Sequence, residues 1–159
     1  MHIKRTVGVS GQKTLERGFT LMELLVVIGV IAILAAIVVV ALNPSRQFAQ
    51  ARNTDREASV TTILNAIGQN IADNKGTFTC GGATVDGTAT NIGTGSGNKD
   101  LSCLVPTYIP SAIPVDPDGG AVADTLYTVA KDTLGRFTVC APKHAETPIA
   151  GSVAYCLTR

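Results

Sequence analysis

The longest apolar run of the chain lies near its N-terminus. Nineteen consecutive uncharged residues, from Leu24 to Leu42, consist of Leu, Val, Ile, Ala and a single Gly. At a rise of 1.5 Å per residue, a helix of this length extends about 28 Å and matches the roughly 30 Å hydrocarbon core of a bilayer. The pattern therefore predicts a helix that is able to span a membrane.

A second helical pattern, amphipathic this time, follows the apolar run. Between the two, Pro44 interrupts the helix because it has no N–H to donate to the preceding turn. Apolar residues then recur at the spacing of one helix face: Val60, Ile63, Leu64, Ile67 and Ile71. Four charged residues are expected on the solvent side: Arg52, Asp55, Arg56 and Glu57. We expect one interrupted helix from about Phe19 to Asn74, with Gly76 as its C′ residue.

The rest of the chain combines a loop pattern with short strand patterns. Gly, Thr, Asn and Ser dominate from Gly76 to about Asp100, which predicts a surface loop, and no phosphate-binding Gly-x-x-x-x-Gly-Lys-Ser/Thr pattern occurs. A proline-rich segment then ends in a turn at 116–120. Three strands are predicted, the first two joined by a hairpin turn at 132–135: Leu126–Lys131, Arg136–Ala141 and Val153–Leu157. The predicted fold class is α+β, with a long N-terminal helix packed on a small antiparallel sheet.

The charge balance gives no indication of a nucleic-acid partner. The 159 residues include 13 Lys and Arg against 12 Asp and Glu, and only 4% are aromatic. DNA or RNA binding favours a basic surface or a row of stacking aromatic side chains. Basic residues also flank the apolar run on both sides, so charge alone does not orient this helix in a membrane.

One carboxylate, that of Glu23, lies at the start of the apolar segment. Thr20 and Glu23 have the spacing of a capping box, which satisfies free N–H groups at a helix start. A charge inside hydrocarbon is costly, however, and usually indicates a function. An ordinary secretory signal fits poorly, because its apolar region is shorter and carries no carboxylate. A lipoprotein anchor is excluded, since no cysteine precedes Cys80.

The segment from Arg17 to Leu24, Arg-Gly-Phe-Thr-Leu-Met-Glu-Leu, closely resembles the class III signal of type IV pilins and type II secretion pseudopilins. The resemblance implies cleavage between Gly18 and Phe19 by a prepilin peptidase, which also methylates the new Phe19 amine. It further implies that Glu23 acts in assembly, and that mature subunits polymerise into a helical filament on an inner-membrane assembly platform. A pilin-like layout is implied for the C-terminal domain.

We interpret Glu23 as the partner of the Phe19 amine, within its own chain or on a neighbouring subunit. Cleavage creates this ammonium group, and a buried ion pair strongly penalises the loss of either partner. A neighbour's amine facing Glu23 would fix the axial register between packed helices. Capping and pairing are compatible with each other.

Four cysteines allow three complete pairings: Cys80, Cys103, Cys140 and Cys156. None has Cys-x-x-Cys spacing, so zinc or redox chemistry has little support beside structural disulfides. We predict Cys80–Cys103, which closes the Gly-rich loop. We also predict Cys140–Cys156, which ties two strands and resembles the C-terminal disulfide loop of many pilins. Disulfides indicate an oxidising compartment, which places the C-terminal domain outside the cytoplasm.

The sequence offers little support for catalysis, and we expect no enzyme activity. His144 lies in a Pro-bounded loop, where a solvated histidine is commoner than a general base. Three carboxylates are candidate ligands for Ca²⁺, because pseudopilins often bind calcium in a corresponding loop: Asp116, Asp118 and Asp124. Asp-Pro-Asp-Gly is also ordinary turn chemistry and lacks EF-hand spacing. No other cofactor is expected.

The predicted organisation has four parts. They are a leader peptide at 1–18, a transmembrane and filament-core helix at 19–42, the amphipathic half of the helix at 43–74, and an extracytoplasmic domain at 75–159. The expected function is that of a structural subunit of a type IV pilus-like filament. The alternatives are a pseudopilin of a type II secretion system and a DNA-uptake pilin. Before assembly we expect a single-pass membrane protein with a cytoplasmic leader, and after assembly a cell-surface or periplasmic filament.

Overall fold

Helix α1, Leu21–Leu42, is the long apolar helix that the sequence predicts. The computed structural model describes residues 18–159, so residues 1–17 of the predicted leader peptide lie outside the described part of the chain. The chain divides into two units after Leu42, and α1 belongs to the first of them. By length and composition, α1 is able to cross a membrane.

Helix α2, Pro44–Asp73, begins the second unit, which comprises Asn43–Arg159. Asn43 is the single residue between the two helices, and its backbone is left-handed, with φ 42° and ψ 79°. Pro44 takes the first position of α2, where a missing N–H removes no helical hydrogen bond. The predicted interruption is therefore present, but it is confined to one residue.

The C-terminal end of α2 corrects the prediction by one residue. The Gly76 N–H donates to the Ile71 carbonyl at 2.8 Å. This is the 6→1 hydrogen bond of a Schellman motif, which joins C″ to C3. Lys75, with φ +56°, occupies the left-handed C′ position that was predicted for Gly76. Gly76 takes the next position, with φ +88°.

Four short strands form one antiparallel sheet in the order β1-β2-β3-β4. Their bounds are β1 Thr90–Asn91, β2 Thr128–Lys131, β3 Phe137–Ala141 and β4 Tyr155–Thr158. The last three are the predicted strands, and each begins one or two residues later than expected. The hairpin turn between β2 and β3 is also present, because the Asp132 N–H donates to the Arg136 carbonyl at 2.9 Å. Strand β1 lies in the segment that was predicted to be loop.

Helix α2 packs on the sheet through the predicted apolar stripe. Four of its members are at most 2% exposed: Val60, Ile63, Leu64 and Ile67. They share one core with buried sheet residues such as Val129, Phe137 and Val139. The predicted solvent side needs a correction, because Arg56, which was placed there, is 0% exposed.

Two disulfides close loops in the second unit. Cys80–Cys103 spans the Gly-rich segment, with a sequence separation of 23. Cys140–Cys156 joins β3 to β4, with a separation of 16. Loops of this size restrict the unfolded chain and contribute roughly 3 kcal/mol each in the chain-entropy description.

Candidate functional site

Helix α1 presents apolar side chains on every side and buries none of them. The large apolar side chains from Leu21 to Leu42 are between 51% and 84% exposed. A helix that is apolar all round belongs in a membrane or in the interior of a larger assembly. The whole surface of α1 is therefore a candidate binding surface.

A reciprocal capping box begins α1. The Thr20 backbone N–H donates to Glu23 Oε2 at 2.9 Å, and the Glu23 N–H donates to Thr20 Oγ1 at 3.1 Å. The Thr20 hydroxyl donates to the same Oε2 at 3.0 Å. The capping role predicted from the Thr-x-x-Glu spacing is confirmed.

The other carboxylate oxygen of Glu23 remains available to a further partner. The two hydrogen bonds that the Glu23 carboxylate accepts from Thr20 both go to Oε2, and no hydrogen bond within residues 18–159 reaches Oε1. An ionised carboxylate has about four acceptor sites. The geometry of the cap is therefore compatible with an ammonium group bound at Oε1.

Gly18 and Phe19 precede the capping box and are open to solvent. The Phe19 side chain is 87% exposed. Apart from its direct chain neighbour, no described residue has an atom within 4 Å of the place that a Cβ on Gly18 would take. A peptidase would therefore meet no steric barrier from the described residues at this bond, and the cleavage itself stays a prediction.

A buried charge network in the second unit is the feature that sequence reasoning missed. The side chains of Arg56 and Asp116 are both 0% exposed, and they form a bidentate pair, with Nε–Oδ2 at 2.7 Å and Nη2–Oδ1 at 3.0 Å. Arg56 Nη1 donates to Glu146 Oε1 at 2.5 Å and to Asn53 Oδ1 at 2.9 Å. Arg52 donates to both carboxylate oxygens of Glu146, at 2.7 and 2.6 Å. The network attaches two loops, one with Asp116 and one with Glu146, to α2.

The spacing along α2 did contain a signal for the burial of Arg56. Ala49, Asn53 and Arg56 precede Val60 at helical intervals, so they extend the apolar stripe toward the start of α2, and all three are buried. The charge of Arg56 instead predicted that its side chain is exposed to solvent. Its partner carboxylates are 60 and 90 residues away along the chain, where helical periodicity gives no information.

The two arginines keep the Glu146 carboxylate ionised. Hydrogen bonds from Arg52, and then from Arg56, lower the pKa of Glu146 from 4.5 to about 2, although its burial acts in the opposite direction. Hydrogen bonds to Asp116 are the largest cause that raises the pKa of Arg56 above its usual value. Glu146 therefore contributes to folding through its charged form.

Stability is expected to fall as acid protonates Glu146. Because its pKa is lower in the folded state than in the unfolded state, the unfolded chain binds the proton more tightly, and the contribution is complete only above about pH 4.5. It is lost as the pH falls toward about 2. The loss is expected to reach up to about 3 kcal/mol, and less where solvent screens the pairs. Urea unfolding of the full chain in detergent micelles from pH 6 to pH 2 measures it.

The matched variant for this pH dependence is Glu146→Gln. It is expected to be less stable at pH 6 and to show a shallower loss of stability between pH 4.5 and pH 2. An equally steep loss in this variant would show that other carboxylates cause the acid sensitivity.

The three candidate calcium ligands do not converge in the structure. Asp116 is bound to Arg56, whereas Asp124 accepts two contacts from Asn91 Nδ2, at 3.1 and 2.9 Å. Among residues 18–159, no group of three or more His, Cys, Asp or Glu side chains is placed to hold a metal ion. The geometry therefore does not support a site formed by Asp116, Asp118 and Asp124, because a buried guanidinium neutralises the first of them.

His144 is less solvated than its loop position predicts. Its side chain is 17% exposed, and Nε2 lies 3.1 Å from Glu57 Oε1 on α2. The other ring nitrogen, Nδ1, lies 2.9 Å from the Val153 carbonyl oxygen. These contacts hold the loop after β3 against α2, which is a structural role.

Comparison with known protein families identifies one feature of the chain. The family described as the prokaryotic N-terminal methylation motif matches residues 13–39, and this motif is the signature of type IV pilins and pseudopilins. The matched segment contains Gly18, Phe19, the capping box and most of α1. No curated protein and no solved structure gave a match to the chain.

Proposed function

We propose, from the N-terminal methylation motif that marks type IV pilins and pseudopilins, that this chain is a structural subunit of a type IV pilus-like filament. Prepilin peptidase would cleave between Gly18 and Phe19 and methylate the Phe19 amine. The mature subunits would then polymerise through α1. The observation that carries the proposal is a 22-residue apolar helix with no buried residue, which follows the cleavage motif directly.

The exposed surface of α1 explains why such a subunit needs two environments. Before assembly, a membrane would cover the apolar side chains, and afterwards the helices of neighbouring subunits would do so. The leader would then be cytoplasmic and the second unit extracytoplasmic. The two disulfides support this orientation, since disulfides persist in oxidising compartments.

Glu23 supplies the charge that such an assembly would use. In our proposal Oε2 keeps its bonds to Thr20, while Oε1 accepts the methylated Phe19 ammonium of an adjacent subunit. In an apolar surrounding, a charge without its partner is strongly unfavourable, so only one axial offset between two helices satisfies both groups.

The maturation step gives a direct test. The chain from filaments or membranes is expected to begin at Phe19 and to carry one additional methyl group on its amine, as measured by intact-mass and N-terminal peptide analysis. Gly18→Leu is expected to leave the leader attached. The added Cβ meets no described residue beyond its chain neighbour, so the substitution is not expected to disturb the fold of residues 19–159.

Gly68→Leu is the matched control for this test. A Cβ at Gly68 on α2 also meets no atom within 4 Å. This variant is expected to be processed normally. A mature chain that begins elsewhere, or efficient cleavage of the Gly18→Leu variant, would contradict the proposed maturation.

Electron microscopy of cells that express the gene distinguishes the pilus from the secretion pseudopilus, which shares the same motif. Long surface filaments containing this chain are expected. Their absence, together with correct maturation and a secretion defect on deletion, would favour the pseudopilin instead.

A further inference from the structure

The two disulfides lie in different surroundings. Cys80 is 5% exposed and belongs to the hydrophobic core, and Cys103 packs against that core. Cys156 is exposed to solvent, and Cys140 is half-buried. Thiol–disulfide exchange requires a thiolate to reach a sulfur, so accessibility is a first condition for reaction. Cys156 meets this condition and Cys80 does not.

The leaving group also distinguishes the two disulfides. Cys80 and Cys103 both line an open polar hollow with Asn98 and Lys99, so a thiolate has a second route of attack there, through the less buried Cys103. That attack would expel the sulfur of Cys80, which is only 5% exposed. A thiolate with so little access to water is poorly stabilised and leaves slowly. Attack on Cys156 expels the sulfur of Cys140, which is only half-buried.

The position of Cys140–Cys156 in the sheet allows it to open without breaking the ladder. Phe137 and Arg159 exchange two backbone hydrogen bonds, at 2.6 and 2.9 Å. In an antiparallel pair, hydrogen-bonded and non-hydrogen-bonded positions alternate. Cys140 faces Cys156 in the register of β3 and β4, three residues along from this pair, and so occupies a non-hydrogen-bonded position. The ladder bonds therefore come from the residues on either side of the two cysteines.

Strand β4 is held on one side only, because it is the last strand of the sheet. Its inward-facing residues, Tyr155 and Leu157, pack against the core, while Cys156 and Thr158 are exposed. The disulfide is the covalent tie of this edge strand to β3. Its removal would leave β4 attached by hydrogen bonds and two partly buried side chains.

We propose that Cys140–Cys156 is a site of thiol exchange with a dithiol, and that its reduction loosens β4 while the rest of the fold persists. A thiolate of the dithiol bonds to Cys156 Sγ, the Cys140–Cys156 bond breaks, and the Cys140 thiolate takes up a proton. The second thiolate of the dithiol then attacks its own partner sulfur and releases Cys156. Two electrons and two protons pass from the dithiol to the protein. This inference does not depend on filament formation.

The test uses the full chain in detergent micelles with dithiothreitol as the dithiol. After timed quenching in acid, alkylation and digestion, mass spectrometry reports the free fraction of each cysteine. Cys140 and Cys156 are expected to be released at least about tenfold faster than Cys80 and Cys103. Equal rates, or earlier release of Cys80 and Cys103, would overturn the proposal.

Amide hydrogen exchange of the selectively reduced chain tests the loosening. Exchange in β4 is expected to rise while β2 and β3 stay protected, and unchanged protection of β4 would contradict the proposal. The paired substitution Cys140→Ser with Cys156→Ser is expected to fold with the same loosened β4. Unfolding of this variant would show that the disulfide is required for the fold and would also overturn the proposal.

Discussion

Glu23→Gln subunits are expected to be cleaved, to accumulate in the membrane and not to enter filaments. Gln retains an amide oxygen that can accept the Thr20 N–H bond, so the start of α1 is expected to survive. The substitution removes the charge that would face a Phe19 ammonium. Loss of one partner of a buried pair weakens each docking step by on the order of a hundredfold. Filament yield and membrane accumulation, measured by shearing and immunoblotting, give the result.

Thr20→Val separates the charge of Glu23 from its capping role. Val has nearly the shape of Thr but cannot accept the Glu23 N–H bond or donate to Oε2. If the charge matters for assembly, this variant is expected to form filaments in reduced but measurable amounts. Normal filament yield from Glu23→Gln, with a severe defect in Thr20→Val, would show that Glu23 acts only as a cap.

Arg56→Met is expected to lower the free energy of unfolding by about 3–5 kcal/mol. Met has an unbranched side chain and fits the buried space, but it leaves the Asp116 carboxylate, which is 0% exposed, without its counterion. Glu146 loses one of its two arginine partners as well. Urea unfolding of the full chain in detergent micelles at pH 7 measures the change.

Two further variants show whether the buried charge causes this loss. Combining Arg56→Met with Asp116→Asn removes both charges and keeps an acceptor for the Asp118 N–H, so it is expected to regain a large part of the stability. Arg136→Met breaks the exposed pair with Asp132, where the arginine is 59% exposed, and is expected to change the urea midpoint very little. If Arg56→Met behaved like Arg136→Met, the network would not stabilise the fold.

Local patterns in the sequence were sufficient for the helices and for the start of α1. The Thr-x-x-Glu spacing determines a cap whose two residues are three positions apart, and both capping contacts are present. The stripe from Val60 to Ile67 is also a local property, since helical spacing alone brings these side chains to one face. The strands after Leu126 alternate and are bounded by turn residues, so they too were predictable.

Features that depend on distant partners were not predictable in this way. Strand β1 has two residues in a Gly-rich segment, and it exists because Thr90 pairs with Val129 of β2. Arg56 is buried because the Asp116 carboxylate comes from a loop 60 residues away. The same pair joins Asp116, one of the three candidate calcium ligands, to a guanidinium. Residue type alone predicted solvent for Arg56, whereas the fold joined the two charges to each other.

The uniform apolar surface of α1 has a consequence for how such helices recognise one another. Because apolar side chains surround α1 on every side, apolar contacts alone discriminate weakly among rotations of the helix and among its axial positions beside a second helix. Glu23 is the one charged side chain of α1. In the proposed filament, one carboxylate would be enough to fix the axial position of each helix, provided that α1 carries no second charge. Exchanges among Leu, Ile and Val between residues 24 and 42 would leave this axial position unchanged, whereas a second carboxylate one turn away would stabilise a competing axial position.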